Sequence, residues 1–113
     1  MDVFQLADYE DTSPAGFIKR VFQQSPDGLV FRLNFGPGQA LPAHTHAESE
    51  IAVTVLEGQG EATVDGSVES LRAGTMLHCE GKESFSVRNT GASRLSLLVF
   101  LYPGNPRFGG NVR

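Results

Sequence analysis

Apolar and polar residues alternate in short runs along most of this chain, and glycine or proline separates one run from the next. Leu29, Phe31, Leu33 and Phe35 fall on one parity, with Arg32 and Asn34 on the other. This is the pattern of a half-buried strand, and it directs Arg32 toward water. Glu50 to Leu56 repeats the pattern, with Ile51, Val53 and Val55 set against Ala52 and Thr54. Further strands are predicted at Phe17–Phe22, Glu61–Val64, Val68–Leu71, Thr75–Cys79, Ser84–Arg88 and Leu95–Tyr102, the last being the most apolar. The turn signals are equally regular. Pro26-Asp27-Gly28 suits a tight turn, and Asp65-Gly66 is the strongest two-residue hairpin signal in the chain. No stretch carries convincing helical periodicity. Eight or nine short, closely spaced strands predict an all-β sandwich or barrel.

Composition narrows the class. A length of 113 residues suits one domain, with a barrel core over about 17–102 and loosely held segments at both ends, Asn105 to Arg113 among them. Hydrophobic residues make up 40% of the chain, enough for a packed core. The formal net charge is -4 and no Lys/Arg run occurs, which argues against a nucleic-acid partner. No stretch approaches the roughly 18 apolar residues of a membrane span, and Met1-Asp2-Val3-Phe4 lacks the charged and apolar regions of a signal peptide. Cys79 is the single cysteine and has no internal disulfide partner. A reducing, cytoplasmic setting is the expectation.

The candidate chemistry centres on His44-Thr45-His46. Two histidines one residue apart on a strand share a face, so their imidazoles can converge on one ion. Glu48 and Glu50 follow closely.

These residues carry a resemblance. Gly38, His44, His46, Glu50 and Gly58, within a run ending Val55-Leu56-Glu57-Gly58-Gln59-Gly60, resemble the first conserved motif of the cupins. Leu71-Arg72-Ala73-Gly74, followed by Val87-Arg88-Asn89-Thr90-Gly91, resembles the second. The resemblance implies an all-β double-stranded β-helix, the cupin jelly-roll barrel. It also implies a divalent metal (Fe, Zn, Ni or Mn) in the interior, held by two His and a carboxylate from the first motif and a His from the second. Pairing of the barrels into a homodimer is a further implication, with the segment around Phe17 to Phe22 a candidate to cover or swap onto a neighbour's sheet edge. The family spans oxygenases, isomerases and non-catalytic domains, so membership leaves the reaction open.

The chain departs from the motifs at two places. Phe85 falls where the second-motif His belongs, and Phe offers no lone pair. Glu50 shares parity with His44 and His46, yet Ile51, Val53 and Val55 form the apolar set of the same run. A phase shift between His46 and Ile51 is therefore required. A shift before Glu50 turns its side chain away from the histidines, and a shift at or after Glu50 keeps it with them. The candidate metal set is His44, His46, Glu50 and His78, with His78 as a substitute third imidazole. Cys79, of opposite parity, reads as a buried inert thiol. Phe31, Phe85 and Phe100, with Phe35 and Tyr102, are candidates to line an apolar pocket for a small-molecule ligand. The functional expectation is a barrel that binds a divalent metal, a small organic molecule, or both, through His44 and His46, with metal-dependent oxygenase or isomerase chemistry as the catalytic option. The alternative is a metal-free binding or structural homodimer without catalysis.

Overall fold

The computed structural model describes residues 1–104. The tail expected to be loosely held, 105–113, lies outside the described residues. A 3-10 turn at Leu6–Tyr9 precedes nine strands: β1 Ile18–Ser25, β2 Gly28–Phe35, β3 Ala40–His44, β4 Ser49–Glu57, β5 Gln59–Val64, β6 Ser67–Arg72, β7 Met76–Glu80, β8 Phe85–Asn89 and β9 Leu95–Pro103. They form two antiparallel sheets, one ordered β1-β2-β9-β4-β7 and the other β3-β8-β5-β6. The expected all-β jelly roll is thus present. Among the described residues, no helix is long and apolar enough to cross a membrane.

The period-2 patterns set the register. Across the five-stranded sheet the inward rows are Leu29–Leu101–Ile51–Cys79 and Phe31–Val99–Val53–Leu77, with Leu33–Leu97–Val55 next to them. Phe35 and Leu95 close this face with no exposed surface. A register slip of one residue would carry all of these apolar side chains to the outer face, so burial fixes the pairing. The second sheet supplies Ala62, Leu71, Phe85 and Val87 to the same core. Asp65 and Gly66 both have positive φ, 47° and 85°, and join β5 to β6 in the hairpin expected of an Asp-Gly pair.

The outer face divides in two. Over β2 and β9 it is covered by the chain's own N-terminal segment. Arg32 is 2% exposed and Asn34 fully buried, which overturns the expectation that Arg32 faces water. Its guanidinium donates to Asn34 Oδ1 at 2.8 Å, to the Leu6 carbonyl at 2.7 Å and to Glu57 Oε1 at 3.2 Å. Asn34 donates to the carbonyls of Tyr9 and Asp11 at 2.7 and 2.9 Å. These bonds hold the main chain of residues 6–11 against the sheet. An aromatic cluster of Phe4, Tyr9 and Phe22 and the Arg20–Asp11 ion pair add to this attachment. The rest of the outer face is more open, and Phe100 and Tyr102 in the last part of β9 and Met76 on β7 are exposed there.

Candidate functional site

The histidine pair sits where β3 ends. Opposite β8 the register slips between Leu41 and His44, so these two residues, three apart, both reach the interior cavity. His44 lies directly across from Phe85, their rings 6.3 Å apart and edge-on. Phe85 is 3% exposed and fills the second-motif position inside the barrel. His46 lies just past the strand and is held by its backbone. Its N–H donates to the Gly81 carbonyl at 2.8 Å, and its carbonyl accepts from Ser49 N–H at 3.2 Å. Gly81 N–H in turn donates to the Ser49 carbonyl at 2.7 Å. A Cβ on Gly81 would lie 1.8 Å from the His46 carbonyl oxygen, so only glycine permits this approach.

The two imidazoles meet at Nε2–Nε2 2.8 Å, with ring planes 83° apart. His44 Nδ1 is 2.8 Å from the Pro42 carbonyl, a pure acceptor, so Nδ1 must carry the proton. In neutral His44 this leaves Nε2 with a bare lone pair. His46 Nε2–H must then be the donor of the pair. Burial, then the neighbouring His44 and Lys19 charges, hold the His46 pKa below its ordinary value and favour this neutral state.

The pair forms the polar end of a partly enclosed cavity of about 150 Å³. Phe17, Phe31, Phe85, Ile51 and Val99 supply most of its apolar wall, and Lys19 joins the histidines as a third polar residue. A wider groove of about 440 Å³ beside Pro26, Glu48 and Tyr102 is open to solvent and lies apart from the histidines.

The structure brings together only part of the candidate set. His44, His46, Phe31 and Phe85 line one cavity. Glu50 and His78 stand on the outer face of β4 and β7, where His78 Nε2 and Glu50 Oε1 are 2.9 Å apart. The turn after His46 is the reason. Glu48 adopts φ 65°, and the chain re-enters the sheet at Ser49 with its phase reset before Glu50. Ile51 points inward in consequence. Phe100 also departs from expectation: it is 42% exposed and pairs with Val30 and Ala52 on the outer row. Tyr102 shares that face, whereas Phe35 is buried against Phe17. Lys19 and Gly81 were not among the sequence candidates. The parity of Lys19 with Phe17 on a predicted strand was the available signal for the first, and Gly81 carried none.

The metal implied by the cupin resemblance can be tested against these donors. Metal–nitrogen bonds of about 2.0–2.1 Å place two adjacent imidazole nitrogens about 3 Å apart, close to the separation seen. The count is short, however. Among the described residues no group of three or more His, Cys, Asp or Glu side chains is placed to hold one ion. Two nitrogens do not make a self-sufficient site, and His46 would have to surrender its Nε2 proton.

Comparison with known proteins agrees with this architecture. The family model described as "Cupin domain" matches residues 31–101. Among solved structures, TT1209 from Thermus thermophilus is 28% identical with a TM-score of 0.86, the match covering 91% of this chain and 98% of that one. An RmlC-like cupin protein from Desulfovibrio desulfuricans is also 28% identical, with a TM-score of 0.82 over 91% and 97% of the two chains. A conserved protein with a double-stranded β-helix domain from Klebsiella pneumoniae is 24% identical, with a TM-score of 0.84 over 93% and 92%. No curated protein matches the sequence.

Proposed function

We propose, for a chain that belongs to the cupin family, that the barrel is a receptacle for one small organic molecule with His44 and His46 as its polar end. One observation carries this reading: a preorganised donor–acceptor pair stands at the end of a largely apolar, partly enclosed cavity. An incoming polar group can exchange for the histidine–histidine hydrogen bond, accepting from His46 Nε2–H or donating to His44 Nε2. The apolar wall supplies affinity and the pair supplies orientation. Thermal-shift screening of a small-molecule library tests it. Compounds of about six to ten heavy atoms are expected to raise the unfolding temperature of the wild type and to lose the effect in His46→Ala. A library without a single stabilising compound would remove the reading.

A divalent metal (Fe, Zn, Ni or Mn) at the same nitrogens is the second reading, favoured by their convergence. With two protein donors such an ion depends on donors from the bound molecule, and any oxygenase or isomerase chemistry belongs to this reading. Elemental analysis of untagged protein, before and after addition of each metal, decides it. Stoichiometry near zero throughout rejects it.

Homodimer formation has support of its own. Met76, Phe100 and Tyr102 expose apolar surface on the part of the outer face that the N-terminal segment leaves bare. A second copy of the same face would cover it isologously. β1 pairs with its own β2, which favours packing of faces over exchange of that strand. Sedimentation is expected to show a dimer that Phe100→Glu dissociates, and a wild-type monomer at micromolar concentration would reject it. The buried lone thiol of Cys79 supports a cytoplasmic setting, testable by cell fractionation.

A further inference from the structure

β1 is the edge strand of the five-stranded sheet. Lys19 lies opposite Leu33 on it, so its side chain starts from the inward face although the residue is exposed. Leu33 is 3% exposed, which makes Lys19 the lip of the cavity rather than part of its floor. Its Nζ is folded back over the Phe31 ring, 4.5 Å from the centroid. This is a directed position: the ammonium bends over the aromatic wall instead of extending into solvent.

The cavity's polar inventory is one-sided. Among the described residues, Lys19, His44 and His46 line it, and no aspartate or glutamate does. Among the described residues, no carboxylate lies within ion-pair distance of Lys19. The adjacent Arg20, on the opposite face of β1, is taken up by Asp11. An ammonium whose contact is an aromatic face keeps its N–H donors for a ligand.

We infer that the molecule held in this barrel is a small organic monocarboxylate, its apolar body against Phe31 and Phe85 and its carboxylate toward Lys19 and His46. The inference rests on the binding role proposed above and specifies its ligand class. A carboxylate accepts from both Lys19 Nζ and His46 Nε2–H, whereas a neutral alcohol leaves the ammonium unused. A cationic amine meets like charge with no carboxylate to offset it. Size sets a second limit. A cavity of about 150 Å³ is of the size that admits benzene, so one ring or a comparable aliphatic body fits.

Calorimetric titration with three probes of matched shape, benzoate, benzyl alcohol and benzylamine, tests this at fixed ionic strength. Wild-type protein is expected to favour benzoate over the alcohol by about five- to tenfold, a modest factor because Lys19 is solvent-exposed, and to bind the amine least. Lys19→Met keeps the stem over Phe31 and removes the charge. It should bring benzoate down to the affinity of the alcohol and leave the alcohol unchanged, while Lys19→Arg retains the preference. Equal wild-type affinities for benzoate and alcohol, or a benzoate preference that survives in Lys19→Met, would overturn the carboxylate assignment and leave a neutral-ligand receptacle standing. Failure of all three probes to bind removes the receptacle itself, and this assignment with it.

Discussion

Two polar clusters flank the same sheet, and they are built on opposite terms. The outer one is closed. Arg32, Asn34, Glu57, Arg94 and Ser96 satisfy one another and the carbonyls of the N-terminal segment: Arg94 Nε donates to Glu57 Oε1 at 2.6 Å, and Ser96 Oγ donates to Asn34 Oδ1 at 2.8 Å. The inner one is open. His44 and His46 have each other and one backbone carbonyl, and they face a cavity. A closed network yields stability and has nothing left for a ligand. A pair with exchangeable hydrogen bonds, set in an apolar space, contributes less to the fold and is available for binding. The contrast supports the inner face as the place of the proposed binding, although the outer face holds more charged groups.

Mutation of the closed cluster is expected to have the largest effect on stability. Arg32→Ala leaves the Leu6 carbonyl without its donor and takes one donor each from Asn34 Oδ1 and Glu57, which keep those of Ser96 and Arg94, at a cost of about 3 kcal/mol in denaturant unfolding. A loss below about 1 kcal/mol would erase the contrast. Gly81→Ala comes next. Its new Cβ would collide with the His46 and Ser49 carbonyls, so the loop must shift, costing about 2 kcal/mol and displacing His46. Ligand binding should fall together with stability in this variant, and a variant that binds normally would show that the loop tolerates the shift.

Acid titration sharpens the comparison further. The His46 pKa is lowered from 6.5, chiefly by burial. Its contribution to stability is full above about 6.5 and is lost as pH falls through the lower folded-state value. Glu57 is lowered from 4.5, chiefly by its hydrogen bond from Arg94. Its contribution is full above about 4.5 and is lost only in stronger acid. The inner pair should therefore loosen before the outer cluster does. Imidazole resonances followed by NMR would show it, and a His46 midpoint at or above 6.5 would contradict it. The smallest effect is expected for His46→Leu, which places an apolar side chain in an apolar cavity. Its stability should stay within about 1 kcal/mol of wild type, or rise, while ligand-induced stabilisation disappears.

Much of the fold was legible in the sequence because each half-buried strand states its own phase. Leu29 to Phe35 and Ile51 to Val55 place their inward residues by alternation alone, and Asp65-Gly66 specifies its hairpin. The position of Phe85 was legible too, since motif spacing locates a residue across from His44 without knowledge of its contacts. Legibility failed where the local pattern carries no phase. Leu95 to Tyr102 is apolar on both parities, so nothing in the strand says that Leu97, Val99 and Leu101 face in while Phe100 and Tyr102 face out. Glu50 was undecided for a related reason: one left-handed residue, Glu48, sets the phase of everything after it, and no rule reserves that conformation for a glutamate. Arg32 was misplaced because alternation gives the face of a side chain and not what covers that face. The cover comes from residues some twenty positions earlier in the chain.

Five main-chain carbonyls of that cover are held by side-chain donors from the rest of the chain. The carbonyls of Leu6, Tyr9, Glu10, Asp11 and Ser13 accept from Arg32, Asn34, Arg94 and Gln39, and every residue type offers the same oxygen. The sheet therefore reads the spacing of the segment more than its letters. Substitutions along residues 6–13, apart from Tyr9, Glu10 and Asp11 whose side chains also make contacts, should drift with little penalty, whereas gain or loss of a single residue would put the oxygens out of step with their donors. Evolutionary latitude in spelling, combined with intolerance of changed length, is the signature such a strap should leave among related sequences.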